Sequence, residues 1–202
     1  MLNRFSYVFL LALIAIVAFL FVYFTGDNSD EARYVGVERC RVCHEAASLG
    51  AQFKIWASGP HATAYSVLES DSAKAYLASH NVTTASCIGC HSTLGRPAQN
   101  EPEQLLNAEG VGCERCHGPG SNYSDYNTML DREAFTAHAG VVGSLQDCSQ
   151  CHAANPATAE VHCPFQHEPF NADSAWQKIR HQVPQAAERD ARPDTVLQLR
   201  GK

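Results

Sequence analysis

Methionine is nearly missing from this chain: Met1 and Met129 are the only two in 202 residues. Basic side chains are also in short supply, 15 Lys and Arg against 21 Asp and Glu, for a formal net charge of −6. A nucleic-acid binder needs a basic face to neutralise phosphates, so this balance argues against that class. An acidic surface suits a partner with a basic docking face, although solubility alone would account for it equally well. Spare cysteine is missing too. Of 9 Cys, 8 fall into one repeated pattern, and only Cys163 is left over. No disulfide framework can be built from that remainder. Cys163 is open to three readings: a buried free thiol, an intermolecular link or a sulfur ligand.

The repeated pattern is Cys-x-x-Cys-His. It occurs as Cys40-Arg41-Val42-Cys43-His44, Cys87-Ile88-Gly89-Cys90-His91, Cys113-Glu114-Arg115-Cys116-His117 and Cys148-Ser149-Gln150-Cys151-His152. A bare Cys-x-x-Cys is also half of a zinc site or a thioredoxin-like redox pair. A zinc ribbon built on four thiolates has no use for a His fixed at the next position, and here the His follows in every copy. The pattern is the attachment signature of c-type haem. Two thiols three positions apart can each form a thioether to one vinyl group of a single haem, and the following imidazole then lies beneath the ring and binds its iron. The sequence therefore predicts four covalent haems, attached at Cys40 and Cys43, Cys87 and Cys90, Cys113 and Cys116, and Cys148 and Cys151. Their proximal ligands are His44, His91, His117 and His152.

The first 26 residues stand apart. Phe5 to Phe24 is an uncharged run of 20 residues, and at about 1.5 Å rise per residue it spans the roughly 30 Å of a bilayer's hydrocarbon core. The rival reading is a cleaved signal peptide, whose apolar region is shorter and followed by small residues. Bulky Phe21, Val22, Tyr23 and Phe24 end this run, which favours an uncleaved anchor. Arg4 precedes it, and Asp27, Asp30 and Glu31 follow. Positive-inside logic then puts the N-terminus in the cytoplasm and the rest outside, as a single-pass protein of the bacterial inner membrane with a periplasmic haem domain. The expected organisation is an anchor over 1–26, a linker over 27–33, a tetrahaem domain over 34–183 and a polar tail over 184–202. Without residues 1–26 the chain has 176 residues, or 44 per haem. The porphyrin rings must supply much of the core, so the expected fold is mainly α with much irregular structure and no sheet of consequence.

Helical periodicity marks several segments. Ala46, Leu49, Phe53 and Trp56 form a stripe that Gly59-Pro60 ends. A second helix is expected from Tyr65 to about Ala78. A loop with one short turn at Gln104–Asn107 follows the second motif. Further helices are expected over Asp125–His138 and Ala172–Gln182, the last ended by Pro184. Glycines around the third motif, Gly110, Gly112, Gly118 and Gly120, allow close approach to a flat ring.

The sixth position on each iron sets the chemistry. Only Met129 is available as a thioether ligand, so at most one haem is His/Met, the arrangement that raises the potential. The remaining imidazoles are His61, His80, His138, His162, His167 and His181. Most haems are therefore expected to be bis-His and low-potential, or open. His61 follows the rigid Gly59-Pro60 and precedes a helix, which makes it a fixed mount. His138 closes a predicted helix. His181 lies on the opposite side of its helix from Ile179, facing either solvent or a second buried contact.

These residues resemble the tetrahaem cytochrome c-554 family. The matching features are Tyr34-x-Gly36, Trp56-x-Ser58-x-x-His61-Ala62, the block Gly110-Val111-Gly112-Cys113-Glu114-x-Cys116-His117-Gly118-Pro119-Gly120, and Phe170 with Trp176-x-x-Ile179-x-His181. The resemblance covers Tyr34 to His181, and its third-motif block is the most specific part. It implies a helical, haem-packed fold and electron transfer beside hydroxylamine-oxidising or nitrite-reducing enzymes. It also implies distal ligation by His61 and His181, and a second-motif haem, on His91, without a distal protein ligand. The family often carries a His soon after Gly-Pro-Gly. This chain has Ser121-Asn122-Tyr123-Ser124-Asp125-Tyr126-Asn127 there, which leaves His138 as the candidate replacement.

The leading functional reading is a membrane-anchored electron carrier serving redox partners such as other cytochromes or a multihaem oxidoreductase. It would touch the inner membrane through residues 5–24 and would bind no nucleic acid. Two enzymatic readings compete. An open haem could reduce a small nitrogen oxide, or the protein could be a quinol dehydrogenase feeding periplasmic reductases. Against the latter, His44 is followed by Glu45-Ala46 and not by the ligand Met of the quinol-oxidising family.

Overall fold

The computed structural model describes residues 13–17, 31–152 and 170–181. The chain divides into two compact units, Met1–Glu31 and Ala32–Lys202. In the first unit residues 13–17 are helical and exposed. Among the described residues no helix is long and apolar enough to cross a membrane. The span expected over 5–24 lies outside the described residues apart from 13–17, as do His162, Cys163, His167 and the expected tail over 184–202.

Short helices joined by turns build the described part of the second unit, with no strand among the described residues. In chain order the α-helices are α1 (Val37–His44), α2 (Gln52–Ala57), α3 (Asp71–His80), α4 (Ala85–His91), α5 (Glu101–Ala108), α6 (Glu114–His117), α7 (Tyr126–Leu130), α8 (Arg132–Ala137) and α9 (Ala172–Ile179). Tight 3-10 turns lie at Ala47–Leu49, Pro60–Thr63, Ser66–Glu69, Gly120–Asn122 and Leu145–Gln150. The mainly helical expectation holds.

Several predicted helices are broken, each for a local reason. The stripe from Ala46 to Trp56 is a 3-10 turn and then α2, because Gly50 and Ala51 both take left-handed backbone. The segment from Tyr65 to Ala78 is cut at Ser70, whose hydroxyl accepts from the Ala73 amide and starts α3. Such a cap satisfies a donor that a new helix leaves open. Asp131 cuts the expected Asp125–His138 helix in the same way, accepting from the amides of Glu133 and Ala134. In the opposite direction, the turn expected at Gln104–Asn107 is the full α5. Asn100 caps it and Pro102 sits in its first turn, where a missing amide costs nothing. The last helix stops at Ile179, so His181 lies past its end.

The buried apolar residues among those described are few: Val37, Leu68, Ile88, Val111 and Tyr123. Nearly as many buried residues are polar, namely Ser92, Thr93, Asn107 and Glu114, and each of them bonds to the backbone. The Thr93 hydroxyl donates to the Gly110 carbonyl at 2.9 Å and accepts from the Gly112 amide at 2.8 Å. The Asn107 amide donates to the Arg96 carbonyl at 3.0 Å. The Glu114 carboxylate takes the amides of Val35, Gly36 and Gly120 at 2.6–3.1 Å. Side chain to backbone bonds, more than apolar mass, tie the loops around the third motif.

Candidate metal centres

Three of the four Cys-x-x-Cys-His motifs end short helices: α1 at His44, α4 at His91 and α6 at His117. On a helix of 3.6 residues per turn, positions i, i+3 and i+4 share one face. Each motif therefore presents its two thiols and its imidazole together. The fourth motif is reached through the Leu145–Gln150 turn, which the reciprocal bonds of Ser144 and Asp147 cap. Among the described residues no disulfide involves any of the eight motif cysteines.

Thiols of different motifs adjoin. Cys40 of the first meets Cys113 of the third, and Cys90 of the second meets Cys151 of the fourth. The Cys151 thiol is pushed down to about 6, first by its hydrogen bond with Cys90 and, against its burial, by the Arg115 guanidinium. Burial pushes the Cys116 thiol up. Among the described residues no group of three or more His, Cys, Asp or Glu is placed to hold a metal ion by itself, whereas a structural zinc site needs four such donors.

Two motif imidazoles are oriented by backbone carbonyls. His91 Nδ1 lies 2.6 Å from the Ala64 carbonyl, and His117 Nδ1 lies 2.9 Å from the Val141 carbonyl. A carbonyl can only accept, so Nδ1 carries the proton and Nε2 keeps its lone pair, the form a metal binds. Val141 returns the bond, its amide donating to the His117 carbonyl at 2.9 Å. His44 differs: its Nδ1 is buried with no hydrogen-bond partner. Burial lowers its proton affinity, with the adjacent Gln52 side chain acting the other way.

Two other imidazoles face motif imidazoles. The His61 and His152 ring centres are 6.2 Å apart, and those of His117 and His181 are 5.9 Å apart. Two imidazoles bound on opposite sides of one metal through bonds of about 2 Å would have their centres roughly 6 Å apart. Desolvation by burial lowers the proton affinity of His61, His152 and His181. His181 is exposed on one side, but its other side faces His117 and His44. Neutral imidazole is the ligating form.

His61 lies inside a 3-10 turn. Pro60 opens its 3-10 turn after an extended Gly59. The carbonyl of His61 accepts from the Val111 amide at 2.9 Å. Gly110 has φ +80°, and a β-carbon there would sit 2.4 Å from that carbonyl. Phe170 stacks on His152, centres 4.1 Å apart. His138 and His80 are exposed, and their Nδ1 atoms lie 2.7 Å and 3.0 Å from the carbonyls of Ala134 and Tyr76. No ring contact joins either to a motif imidazole among the described residues. Met129 is exposed on α7.

The sequence reading passed over the carbonyls of Ala64 and Val141, and also Arg115. The carbonyls leave no mark in side-chain identity. Arg115 lies at a variable position inside its motif, where the spacing draws attention to its neighbours.

Paired thiols on one face, followed by an imidazole oriented through Nδ1, fit covalent haem, and this donor set is that of the c-type cytochromes. Comparison with known proteins narrows the class. Residues 39–118 match the family described as cytochrome c554 and c-prime. The chain is 31% identical over 120 residues to cytochrome c-554 of Nitrosomonas europaea, covering 54% of this chain and 48% of that protein. It thus spans about half the length of that curated relative. No solved structure matches it. The two matches support a c-554 family cytochrome, and the family implies covalently bound haem c.

Proposed function

We propose that this protein is a tetrahaem electron carrier of the periplasm, anchored to the inner membrane through residues 5–24. The observation that carries this reading is the meeting of motif thiols in two pairs, Cys40 with Cys113 and Cys90 with Cys151. Attachment points this close support an arrangement with the first haem beside the third and the second beside the fourth. The haems supply the one-electron chemistry. The chain sets their spacing, orientation and surroundings.

His44, His91, His117 and His152 are the proximal ligands in this reading, with His61 distal to the fourth haem and His181 distal to the third. The ring separations of 6.2 Å and 5.9 Å support both assignments. The carbonyls of Ala64 and Val141 fix the imidazoles of His91 and His117 and raise their basicity as ligands. The porphyrins would also complete a core that has few buried apolar side chains of its own. Partners would be other redox proteins, met through an acidic surface.

The test uses the full chain produced with haem attachment. Its mass should exceed that of the polypeptide by four haems. It should also accept electrons from one periplasmic cytochrome and pass them to another. Two or fewer haems, or bound zinc, would end this reading. Four haems with nitrite or nitric oxide turnover and no relay between proteins would make it an enzyme instead.

A further inference from the structure

The centre of the motif cluster holds a cation that the ligand scheme does not use. Arg115 sits between the two cysteines of the third motif, yet its side chain reaches two other motifs. Its Nη2 donates to the Gly89 carbonyl, inside the second motif, at 2.9 Å. The same nitrogen lies 3.9 Å from Cys151 Sγ of the fourth motif. Gly95 makes room for it. A β-carbon there would sit 2.1 Å from Nη1 and 3.1 Å from Cζ, and the glycine's φ of +65° resists other side chains as well. The ion pairs among the described residues join Arg41 to Glu38 and Glu45, and Arg96 to Glu103. Arg115 is in none of them. The charged and titratable groups around this junction are Cys90, Cys116, Cys148, Cys151, His91 and Asp147. Asp147 is occupied by the amide and hydroxyl of Ser144, at 2.7 Å and 3.0 Å.

We propose that Arg115 raises the reduction potentials of the second and fourth haems, as a positioning residue acting from within the third motif. The inference rests on the haem reading above. Reduction adds an electron to each iron, so a fixed positive charge nearby favours the reduced state. Partial burial makes that attraction several times stronger than in water. Arginine suits the role because its delocalised side chain is a permanent cation, and one of its nitrogens reaches both the Gly89 carbonyl and the Cys151 sulfur. The arrangement distinguishes the two haem pairs: the second and fourth gain a cation, whereas the first and third have the Glu114 carboxylate beside Cys40 and Cys113.

Two substitutions test this on the full chain with its haems attached: Arg115→Gln removes the charge, and Arg115→Lys keeps it. Haem content is measured first, by mass, and midpoint potentials follow by optical titration. Arg115→Gln should make two of the haems harder to reduce, by at least tenfold in the reduction equilibrium, about 59 mV for one electron. Arg115→Lys should stay within threefold of the parent. A fully loaded Arg115→Gln protein with every potential within twofold of the parent would overturn the proposal. So would a lysine variant that falls as far as glutamine, since the charge would then not be the cause. Should Arg115→Gln fail to load, Gly95→Ala pushes the guanidinium away from the same junction and must lower the same two potentials. Failure of both variants to load would make Arg115 a folding residue and likewise overturn the proposal. A parent chain without haem is a different outcome, because it refutes the proposed function and leaves no potentials to compare.

Discussion

Glu114→Ala should be among the most damaging single changes outside the proposed haem ligands. Glu114 is 3% exposed. Oε1 accepts from Val35 at 2.9 Å and from Gly120 at 2.6 Å, and Oε2 accepts from Gly36 at 2.8 Å. Removing the carboxylate leaves three amides without it, two of them in fully buried bonds. An unsatisfied buried donor costs about 1–3 kcal/mol. Water entering the space would recover part of that, so the net expectation is about 3–5 kcal/mol, at the upper end for point changes. Glu114→Gln keeps one acceptor but turns an NH2 toward amide donors, and should cost about 2–4 kcal/mol. Urea unfolding of the haem-loaded protein measures the loss. Amide exchange at Val35, Gly36 and Gly120 locates it, and should accelerate at all three positions in the alanine variant. A cost below about 1 kcal/mol with those amides still protected would show that the carboxylate is not the clamp.

Thr93→Val keeps the shape but loses the bonds to Gly110 and Gly112, and should cost about 2–3 kcal/mol in the same urea assay. A near-neutral result would mean that the two backbone groups find other partners. Gly110→Ala must relieve both a φ of +80° and a β-carbon 2.4 Å from the His61 carbonyl. It should cost about 2–4 kcal/mol and speed exchange at the Val111 amide, whereas unchanged exchange there would refute the contact. Arg96 holds the Glu103 carboxyl down to about 2, chiefly by their hydrogen bond, and the Gln99 amide, donating to the same carboxylate, adds to this. A folded-state value below the unfolded one stabilises above the ordinary carboxyl range and is lost as pH falls through about 2. The pair lies at the surface, where solvent screens it, so Arg96→Gln should return the Glu103 titration, followed by NMR, toward ordinary values without moving the acid-unfolding midpoint. A Glu103 value unchanged by that substitution would refute the pairing.

What could be read directly from the residues was the chemistry that spacing encodes. Cys-x-x-Cys-His places its donors within one helical turn, so the four motifs were visible before any fold. His61 was visible for a similar reason: Gly59-Pro60 dictates the local backbone whatever surrounds it. The helix boundaries were harder. Apolar periodicity continues through Gly50-Ala51 and Asp131, but capping and left-handed backbone interrupt the helix there, and periodicity takes no account of either. The assembly of the site was beyond local pattern altogether. Arg115 reaches Gly89 across 26 residues, and Glu114 reaches Val35 across 79. Contacts of that separation depend on the tertiary fold. The resemblance implied distal roles for His61 and His181 without saying which motif each meets; their facing of His152 and His117 is seen only in the fold.

The reach of Glu114 also has a bearing on timing. A chain emerging N-terminus first displays Cys40, Cys43 and His44 long before residue 114 arrives. Until then the amides of Val35 and Gly36, immediately upstream, lack their acceptor. On the proposed function, the segment just ahead of the first attachment site would lack this fastening until the third is made. Synthesis order would in this way give the attachment machinery a window at the start of the chain that closes by itself.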